Sequence, residues 1–223
     1  MSGLSQLQNR FLDLLLSSGA LKFGEFKTKS GRVSPYFINM GAFDHGRVLN
    51  DVAACYAQII SSRFVDHIHL YGPAYKGITL AAATAMELAK HSQEEIPFTF
   101  NRKEAKDHGE GGVFVGRALS PSRPVIIIED VMTGGTSIRE TMELLRPRNV
   151  SIRAVVIGID RQERGVGSRQ ASQEVQADFG CQVLSILTID EIVKALWNTE
   201  RLGKIWIDGS VKSRIDQYRA EWG

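Results

Sequence analysis

A continuous apolar run at residues 124–128, PVIII, constrains the possible folds of this chain more than any other segment. Apolar runs that do not alternate with polar residues are typical of strands buried on both faces of a parallel sheet. Ile138, Met142 and Leu145 follow at helical spacing, and Pro147 ends the pattern. The segment therefore predicts a strand, a loop and a helix in succession.

Further strand and helix signals alternate along the chain. Buried-strand runs recur at residues 154–159 and 183–189, and Thr188 and Glu191 have the spacing of a capping box that begins another helix. Strands that alternate with helices in this way predict an α/β fold with a mainly parallel central sheet flanked by helices. A length of 223 residues predicts a single domain.

Composition excludes several classes of protein. A hydrophobic fraction of 43% is typical of a packed globule rather than a disordered chain. A formal net charge of +2 gives no global attraction to nucleic acid or to an anionic membrane, so any anion must be bound locally. With two distant cysteines, no signal-peptide pattern and no long apolar stretch, we expect a cytoplasmic protein without nucleic-acid or membrane partners.

The loop after the 124–128 run has the composition of a phosphate-binding turn. Thr133–Ser137 combines two glycines with three hydroxyls where a helix is predicted to begin, so several backbone N–H groups could receive an anion. Ligands of parallel sheets bind beyond the carboxyl ends of the strands, which is where this loop lies. An ordinary glycine turn with a Thr or Ser N-cap is the alternative.

Two carboxylates, Glu129 and Asp130, come directly before this loop. Because carboxylates repel a phosphate, the pair indicates a second feature of the ligand. The vicinal hydroxyls of a ribose would donate to both acids, and the same charge would stabilise an oxocarbenium-like anomeric centre. A magnesium ion is another possible partner, and acids that merely begin a solvated loop are the third interpretation.

Other predicted loops supply cations. The glycine-bounded turn Gly72–Gly77 could present Lys76 and backbone N–H groups to a second phosphate, although it is also compatible with a simple strand-to-helix turn. Residues 101–112, NRKEAKDHGEGG, lack apolar periodicity and predict a solvated loop. Their bases suit a lid over a departing pyrophosphate, whereas their interspersed acids would equally suit a charge-balanced surface loop.

Two further segments could bind a flat, acidic ring. Phe37 and Ile38 lie in an aromatic and apolar stretch that could face a heterocycle, or that could belong to the core of a hairpin. Arg161 follows the strand predicted at residues 154–159 and could neutralise an acidic substrate.

Taken together, these motifs resemble those of a known family. IIIEDVMTGGTS resembles the phosphoribosyl-diphosphate-binding motif of type I phosphoribosyltransferases. KFGEFKTKSGRVSPYFIN, GPAYKGI, FNRKEAKDHGEGG and DRQERG look like segments of the orotate phosphoribosyltransferases, from about Phe11 to Ile189 and beyond. The resemblance implies the type I phosphoribosyltransferase fold, with one domain over residues 1–223, a small N-terminal hood at about 1–45 and a core at about 46–223.

The resemblance also implies an activity and a set of site residues. The expected reaction converts orotate and 5-phosphoribosyl 1-diphosphate into orotidine 5′-monophosphate and pyrophosphate, in de novo pyrimidine synthesis. Contacts with the diphosphate donor are implied for Lys29, Tyr75, Lys76, Arg102, Lys103, Lys106, His108, Glu129, Asp130, Val131, Met132, Thr133, Gly134, Gly135, Thr136 and Ser137. Contacts with orotate are implied for Phe37, Ile38, Thr133 and Arg161, and catalytic roles for Lys106, His108 and Asp130.

A cofactor and a partner follow from the same resemblance. Mg²⁺ is expected to be held mainly through the diphosphate of the substrate, with Asp130 as a further candidate ligand. A homodimer with shared active sites is expected, in which the lid loop reaches the neighbouring site. Glu129 departs from the Asp that is frequent at the first acidic position, so its contact with ribose could differ.

Two other functions are compatible with these motifs. One is a phosphoribosyltransferase for a different base, against which Arg161 argues because it suits an acidic acceptor. The other is a regulator that senses the donor and binds nucleic acid, against which the absence of a basic excess argues.

Overall fold

The computed structural model describes residues 3–27, 31–64, 67–106 and 112–223. Two short 3₁₀ turns, Met40–Ala42 and Arg146–Arg148, accompany the regular elements. In chain order these elements are α1 (Gln6–Ser17), β1 (Leu21–Lys27), β2 (Val33–Ile38), α2 (Gly46–Ser61), β3 (His69–Gly72), α3 (Lys76–Ala89), β4 (Phe98–Lys106), β5 (Gly112–Gly116), β6 (Val125–Met132), α4 (Thr136–Leu145), β7 (Ile152–Asp160), α5 (Ala171–Phe179), β8 (Gln182–Thr188), α6 (Ile189–Leu196), β9 (Glu200–Arg201), β10 (Lys204–Ile205) and α7 (Gly209–Trp222).

A six-stranded sheet forms the centre of the fold, with strand order β5-β4-β3-β6-β7-β8. Neighbouring strands are parallel from β4 through β8, and β5 is antiparallel to β4 at one edge. The predicted α/β fold with a mainly parallel sheet is therefore confirmed. The order places β3, β6 and β7 side by side, so their carboxyl ends meet at one edge of the sheet.

Helices cover both faces of the sheet because the apolar strands alternate their side chains between two cores. Along β6, Ile126 and Ile128 belong to a buried cluster that also contains residues of α1, α2, α3, α6 and α7. Val125 and Ile127 point the other way and pack with residues of α4 and α5. The uninterrupted apolar run at 124–128 thus reflects burial on two faces, as predicted.

A second, smaller sheet lies in the N-terminal part of the chain. β1 and β2 form an antiparallel hairpin with an irregularity between Phe23 and Phe26. Helix α7 packs on this hairpin, where Tyr36 of β2 and Tyr218 of α7 meet edge to face with ring centroids 5.9 Å apart. The capping box at Thr188 and Glu191 is also confirmed, at the start of α6.

Two strands extend further than the sequence pattern predicts. β6 continues through Glu129 and Asp130 to Met132, because β7 provides backbone partners as far as Asp160. β4 continues to Lys106, because β5 pairs with it up to Gly112. The prediction of a solvated loop was therefore wrong for residues 101–106, since a partner strand can stabilise polar residues in an extended conformation without apolar periodicity.

None of the helices in the described ranges has the length and apolar character that crossing a bilayer requires. Cys55 and Cys181 are both buried free thiols.

Candidate active site

The candidate site lies where β3, β6 and β7 end. Register brings Tyr71 of β3 opposite Ile127 of β6, and Met132 of β6 opposite Asp160 of β7. The segments that follow these strands are the turn 72–77, the loop 133–135 and the residues after Asp160. Three of the predicted binding segments are thus neighbours, although they are separated by up to about ninety positions along the chain.

The loop after β6 delivers open backbone N–H groups at the start of α4. Gly135 is the N-cap of this helix and adopts a left-handed conformation with φ of +79°. A side chain there would be strained, and glycine has none with which to bond the N–H groups of the first turn. The alternative of a Thr or Ser N-cap is therefore wrong, and the first turn of α4 is available to an anion.

Glu129 lies beneath this turn and is almost completely buried. Its carboxylate accepts hydrogen bonds from the Ser137 hydroxyl at 2.7 Å and from the Asp130 backbone N–H at 3.1 Å. Burial, with a smaller contribution from the neighbouring Asp130 charge, raises the pKa of Glu129 to about 7. Glu129 is consequently a carboxyl group that can change its charge near neutral pH.

Asp130 connects β6 to the turn after β3. Its Oδ1 accepts a hydrogen bond from the Val131 backbone N–H at 2.8 Å, and its Oδ2 lies 2.9 Å from Nζ of Lys76. Lys76 is about half exposed, so its ammonium group can also reach a ligand. The ion pair orders a cation and an anion side by side at the edge of the sheet, as a ligand with both phosphate and hydroxyl groups would require.

The turn between β3 and α3 is shaped by close backbone packing. A Cβ atom on Gly72 would lie 2.2 Å from the carbonyl oxygen of Gly77, and one on Gly77 would lie 2.9 Å from the carbonyl oxygen of Ile128. Asn101 of β4 adds a polar support, since its Oδ1 accepts from the Ala74 N–H at 3.1 Å and from the Tyr71 hydroxyl at 2.9 Å. The turn is therefore held against both neighbouring strands.

Cations from β4 lie beside this turn. Nζ of Lys103 is 4.6 Å from the ring centroid of Tyr75, whose side chain is 66% exposed. Arg102 donates through Nη1 to the Gly112 carbonyl at 3.2 Å, across the β4–β5 pair. A cavity of about 400 Å³ extends from the turn past Arg102 and Lys103 to Ser137. Lys29, His108 and the side chain of Lys106 lie outside the described part of the chain.

Arg161 follows β7, and its backbone N–H donates to the Met132 carbonyl at 3.1 Å. Its side chain is buried and forms an ion pair with Glu163, with Nε 2.7 Å from Oε1. Nη2 contacts the Ser34 hydroxyl at 3.2 Å and the Tyr218 hydroxyl at 3.3 Å. Arg161 therefore lies next to the loop that begins at Thr133, as an acceptor-binding residue would require.

Phe37 and Ile38, which were predicted to face the acceptor base, lie in different environments. Ile38 is buried in the core, whereas Phe37 is 43% exposed and stacks on Phe26 with centroids 5.3 Å apart. Since side chains alternate along a strand, Phe37 lies on the face of β2 opposite Ser34. The structure thus brings Ser34, rather than the side chains of the predicted pair, against Arg161.

The site fits a magnesium ion only if a ligand supplies most of its coordination. Within the described ranges, no three His, Cys, Asp or Glu side chains converge as a metal site would require. Asp130 offers one carboxylate that is already paired with Lys76. Mg²⁺ commonly uses one or two carboxylates together with phosphate oxygens and water, so this donor set is compatible with an ion held through a diphosphate.

Several supporting residues were missed by the sequence reasoning. Besides Asn101, these include Tyr56, whose hydroxyl donates to the Glu129 carbonyl at 2.8 Å, and the partners of Arg161. Asn101 could have been found as a polar residue near the end of a strand pattern. Tyr56 and Tyr218 carry no such signal, because their helical spacing looks like that of ordinary core residues.

Comparison with known proteins places this geometry in a family context. Residues 43–185 match the model of the phosphoribosyl transferase domain. An orotate phosphoribosyltransferase of Proteus mirabilis is 48% identical over 195 residues, which cover 87% of this chain and 90% of that protein. One from Cronobacter sakazakii is 43% identical over 97% of this chain and 98% of its own. The crystal structure of orotate phosphoribosyltransferase from Francisella tularensis has a TM-score of 0.78, with 39% identity, and covers 96% of this chain and 98% of that one.

Proposed function

Because the chain belongs to the orotate phosphoribosyltransferase family, we propose that it transfers the 5-phosphoribosyl group of 5-phosphoribosyl 1-diphosphate to orotate. The products are orotidine 5′-monophosphate and pyrophosphate, as in de novo pyrimidine synthesis. The observation that carries the proposal is the junction of β6 and α4, where an uncapped helix start lies directly above a buried carboxylate. That arrangement is complementary to a phosphorylated sugar.

The β6–α4 junction binds the ribose 5-phosphate part of the donor. The N–H groups of the first turn of α4, including that of Ser137, and the hydroxyls of Thr133 and Thr136 receive the phosphate. Glu129 and Asp130 accept hydrogen bonds from the ribose hydroxyls, and their negative charge stabilises the positive anomeric carbon as the bond to pyrophosphate breaks. No covalent nucleophile is required, because N1 of orotate attacks this carbon directly.

The diphosphate of the donor extends toward the turn 72–77 and β4. Lys76 and Lys103, together with Arg102, neutralise the charge that develops on the leaving group. Lys106 and His108 belong to the lid that we expect to close over it and exclude water. Arg161 holds the acidic base on the opposite side of the anomeric carbon, next to Thr133.

Magnesium belongs to the proposal as a cofactor. When bound, the ion adds positive charge to the diphosphate oxygens and so favours departure of pyrophosphate. Asp130 is the side chain of this chain best placed to join its coordination, and Lys76 orients that carboxylate. We further propose that the protein acts in the cytoplasm as a homodimer whose lid loops serve the neighbouring subunit.

A direct assay tests the reaction. Purified protein is mixed with 5-phosphoribosyl 1-diphosphate, Mg²⁺ and either orotate, uracil or hypoxanthine, and loss of base is followed by absorbance. We expect turnover with orotate alone, and its loss when EDTA is added. Turnover with another base would instead assign a different acceptor.

Absence of turnover in a folded protein that still binds the donor would contradict the proposal and favour a donor sensor. Asp130→Asn tests whether turnover depends on this site, because it removes one charge while keeping the shape of the side chain. We expect it to lower kcat by about 100-fold, as loss of electrostatic stabilisation of a transition state commonly does.

A further inference from the structure

The side chain of Arg161 is held by more hydrogen bonds than the binding of an acceptor would require. A guanidinium group has five N–H donors in a fixed plane. Nε is occupied by Glu163 at 2.7 Å, and Nη2 lies within 3.3 Å of the Ser34 and Tyr218 hydroxyls and within 2.6 Å of Glu163. Nη1 makes no hydrogen bond to any residue in the described ranges. One edge of the group is therefore clamped by protein, and the other edge remains for a ligand.

The three residues that hold Arg161 come from distant parts of the chain. Ser34 belongs to β2, Glu163 to the segment after β7, and Tyr218 to α7. The Tyr218 hydroxyl also donates to Oε1 of Glu163 at 2.9 Å, so it contacts both members of the ion pair. The Ser34 hydroxyl is fixed in turn, because it donates to the Tyr36 carbonyl at 2.7 Å.

Helix α7 is itself anchored to the segment after β7. The Arg164 N–H donates to the Trp222 carbonyl at 2.8 Å. The guanidinium carbon of Arg32 lies 3.9 Å from the ring centroid of Trp222, and Nη1 of Arg32 is 3.5 Å from Oε2 of Glu163. These contacts fix the C-terminal end of α7 and therefore the position of Tyr218 next to Arg161. A helix that served only to cover the core would need apolar contacts alone.

We propose that Tyr218 and Ser34 are positioning residues that, with Glu163, direct the open Nη1 edge of Arg161 toward the carboxylate of the acceptor base. Helix α7 is then part of the acceptor site, although none of its residues touches the substrate. This inference rests on the proposed function, since it takes orotate as the acceptor. It adds a determinant of acceptor affinity that is separate from the donor-binding loops.

Three variants test the inference. Tyr218→Phe removes the hydroxyl that contacts Arg161 and keeps the ring against Tyr36. Ser34→Ala removes the second contact from a different element. Tyr36→Phe is the matched control, because the Tyr36 hydroxyl is also buried but has no hydrogen-bond partner in the described part of the chain. KM for orotate, KM for 5-phosphoribosyl 1-diphosphate and kcat are measured for each variant, and thermal melting checks that each is folded.

We expect Tyr218→Phe to raise KM for orotate at least about fivefold, which is the scale of losing one ordinary hydrogen bond. KM for the donor and kcat should stay within about twofold of wild type, and Ser34→Ala should shift the same parameter in the same direction. Tyr36→Phe should leave all three parameters unchanged.

The inference is overturned if Tyr218→Phe and Ser34→Ala change KM for orotate no more than Tyr36→Phe does. It is also overturned if both KM values rise together, since that result indicates a general disturbance of the fold. Should Tyr218→Phe fail to fold, Ser34→Ala decides the question alone. A wild-type protein that does not convert orotate would contradict the proposed function instead, so the two failures are distinguishable.

Discussion

At the scale of single residues, Glu129 is a carboxyl group whose pKa is shifted by its surroundings. It is 6% exposed, and burial beside Asp130 raises its pKa to about 7. A carboxyl group whose pKa is higher in the folded protein than in the unfolded chain binds its proton more tightly when folded. The folded state therefore loses stability as pH rises from about 4.5 through about 7. This loss of stability is consistent with a carboxyl group that serves ligand binding rather than folding.

Glu129→Gln tests this assignment through its effect on stability. As pH rises from 5 to 8, we expect the free energy of unfolding of the variant to increase relative to that of wild type by about 2–3 kcal/mol. The reason is that the amide of Gln cannot ionise, whereas the buried carboxyl group of wild type does. Urea unfolding at both pH values measures the difference. Glu140→Gln, which removes an exposed carboxylate of α4, controls for the loss of an ordinary surface charge. A gap between wild type and Glu129→Gln that does not change with pH would contradict the raised pKa.

At the scale of elements, the turn between β3 and α3 shows how backbone packing shapes a site. Gly77 is a helical residue, and replacing a helical glycine by alanine ordinarily stabilises a helix. Here the added Cβ would lie 2.7 Å from Cδ of Pro73 and 2.9 Å from the Ile128 carbonyl oxygen. Strand β6 therefore requires a glycine at this position of α3. The turn cannot move away without breaking the ion pair between Lys76 and Asp130.

The same substitution should affect stability differently at two glycines. Gly77→Ala is expected to destabilise the protein by about 1–3 kcal/mol, the usual cost of overpacking, and to raise KM for the diphosphate donor. Gly46→Ala, at the start of α2, is expected to be neutral or slightly stabilising, since nothing lies within 4 Å of its added Cβ. Denaturant unfolding and donor kinetics of the two variants provide the test. Equal stabilities would mean that the turn relaxes to accept a side chain at residue 77.

At the scale of the whole molecule, the sheet assembles the proposed site from segments far apart in sequence. Strand order places the ends of β3, β6 and β7 side by side, and α7 reaches across to Arg161. The proposed homodimer would add lid residues from a second subunit. Function would then depend on two levels of assembly, one within the chain and one between chains.

Hybrid dimers test whether sites are shared. Asp130→Asn and Lys106→Ala should each lose most activity, because each alters both sites of its own homodimer. If the lid serves the neighbouring subunit, co-expressed mixtures should recover about a quarter of wild-type activity, since about half of random dimers are hybrids with one intact site.

The matched control for hybrid dimers combines Asp130→Asn with Lys76→Ala. These two side chains lie 2.9 Å apart in one chain, so every hybrid site carries one of the two defects and no recovery is expected. Absence of recovery in the Asp130 and Lys106 mixture as well would contradict shared sites.

The sequence by itself was enough to determine the α/β class and the location of the β6–α4 junction. The apolar run at 124–128, the glycines at 134 and 135 and the adjacent acids are local features whose physical meaning depends on neighbours within a few residues. Periodicity and turn chemistry report such local conformations directly. The family resemblance extended this to a reaction, which similarity to known orotate phosphoribosyltransferases supports.

Tertiary structure alone decided the surroundings of each reactive group. The burial that raises the pKa of Glu129, the partner strand that extends β4 to Lys106, and the contact of Tyr218 with Arg161 all join residues distant in sequence. Such contacts leave no periodic or compositional trace, because any core position of α7 would accept an aromatic residue. Only the packing of helix against hairpin determines that the hydroxyl of Tyr218 meets the guanidinium of Arg161.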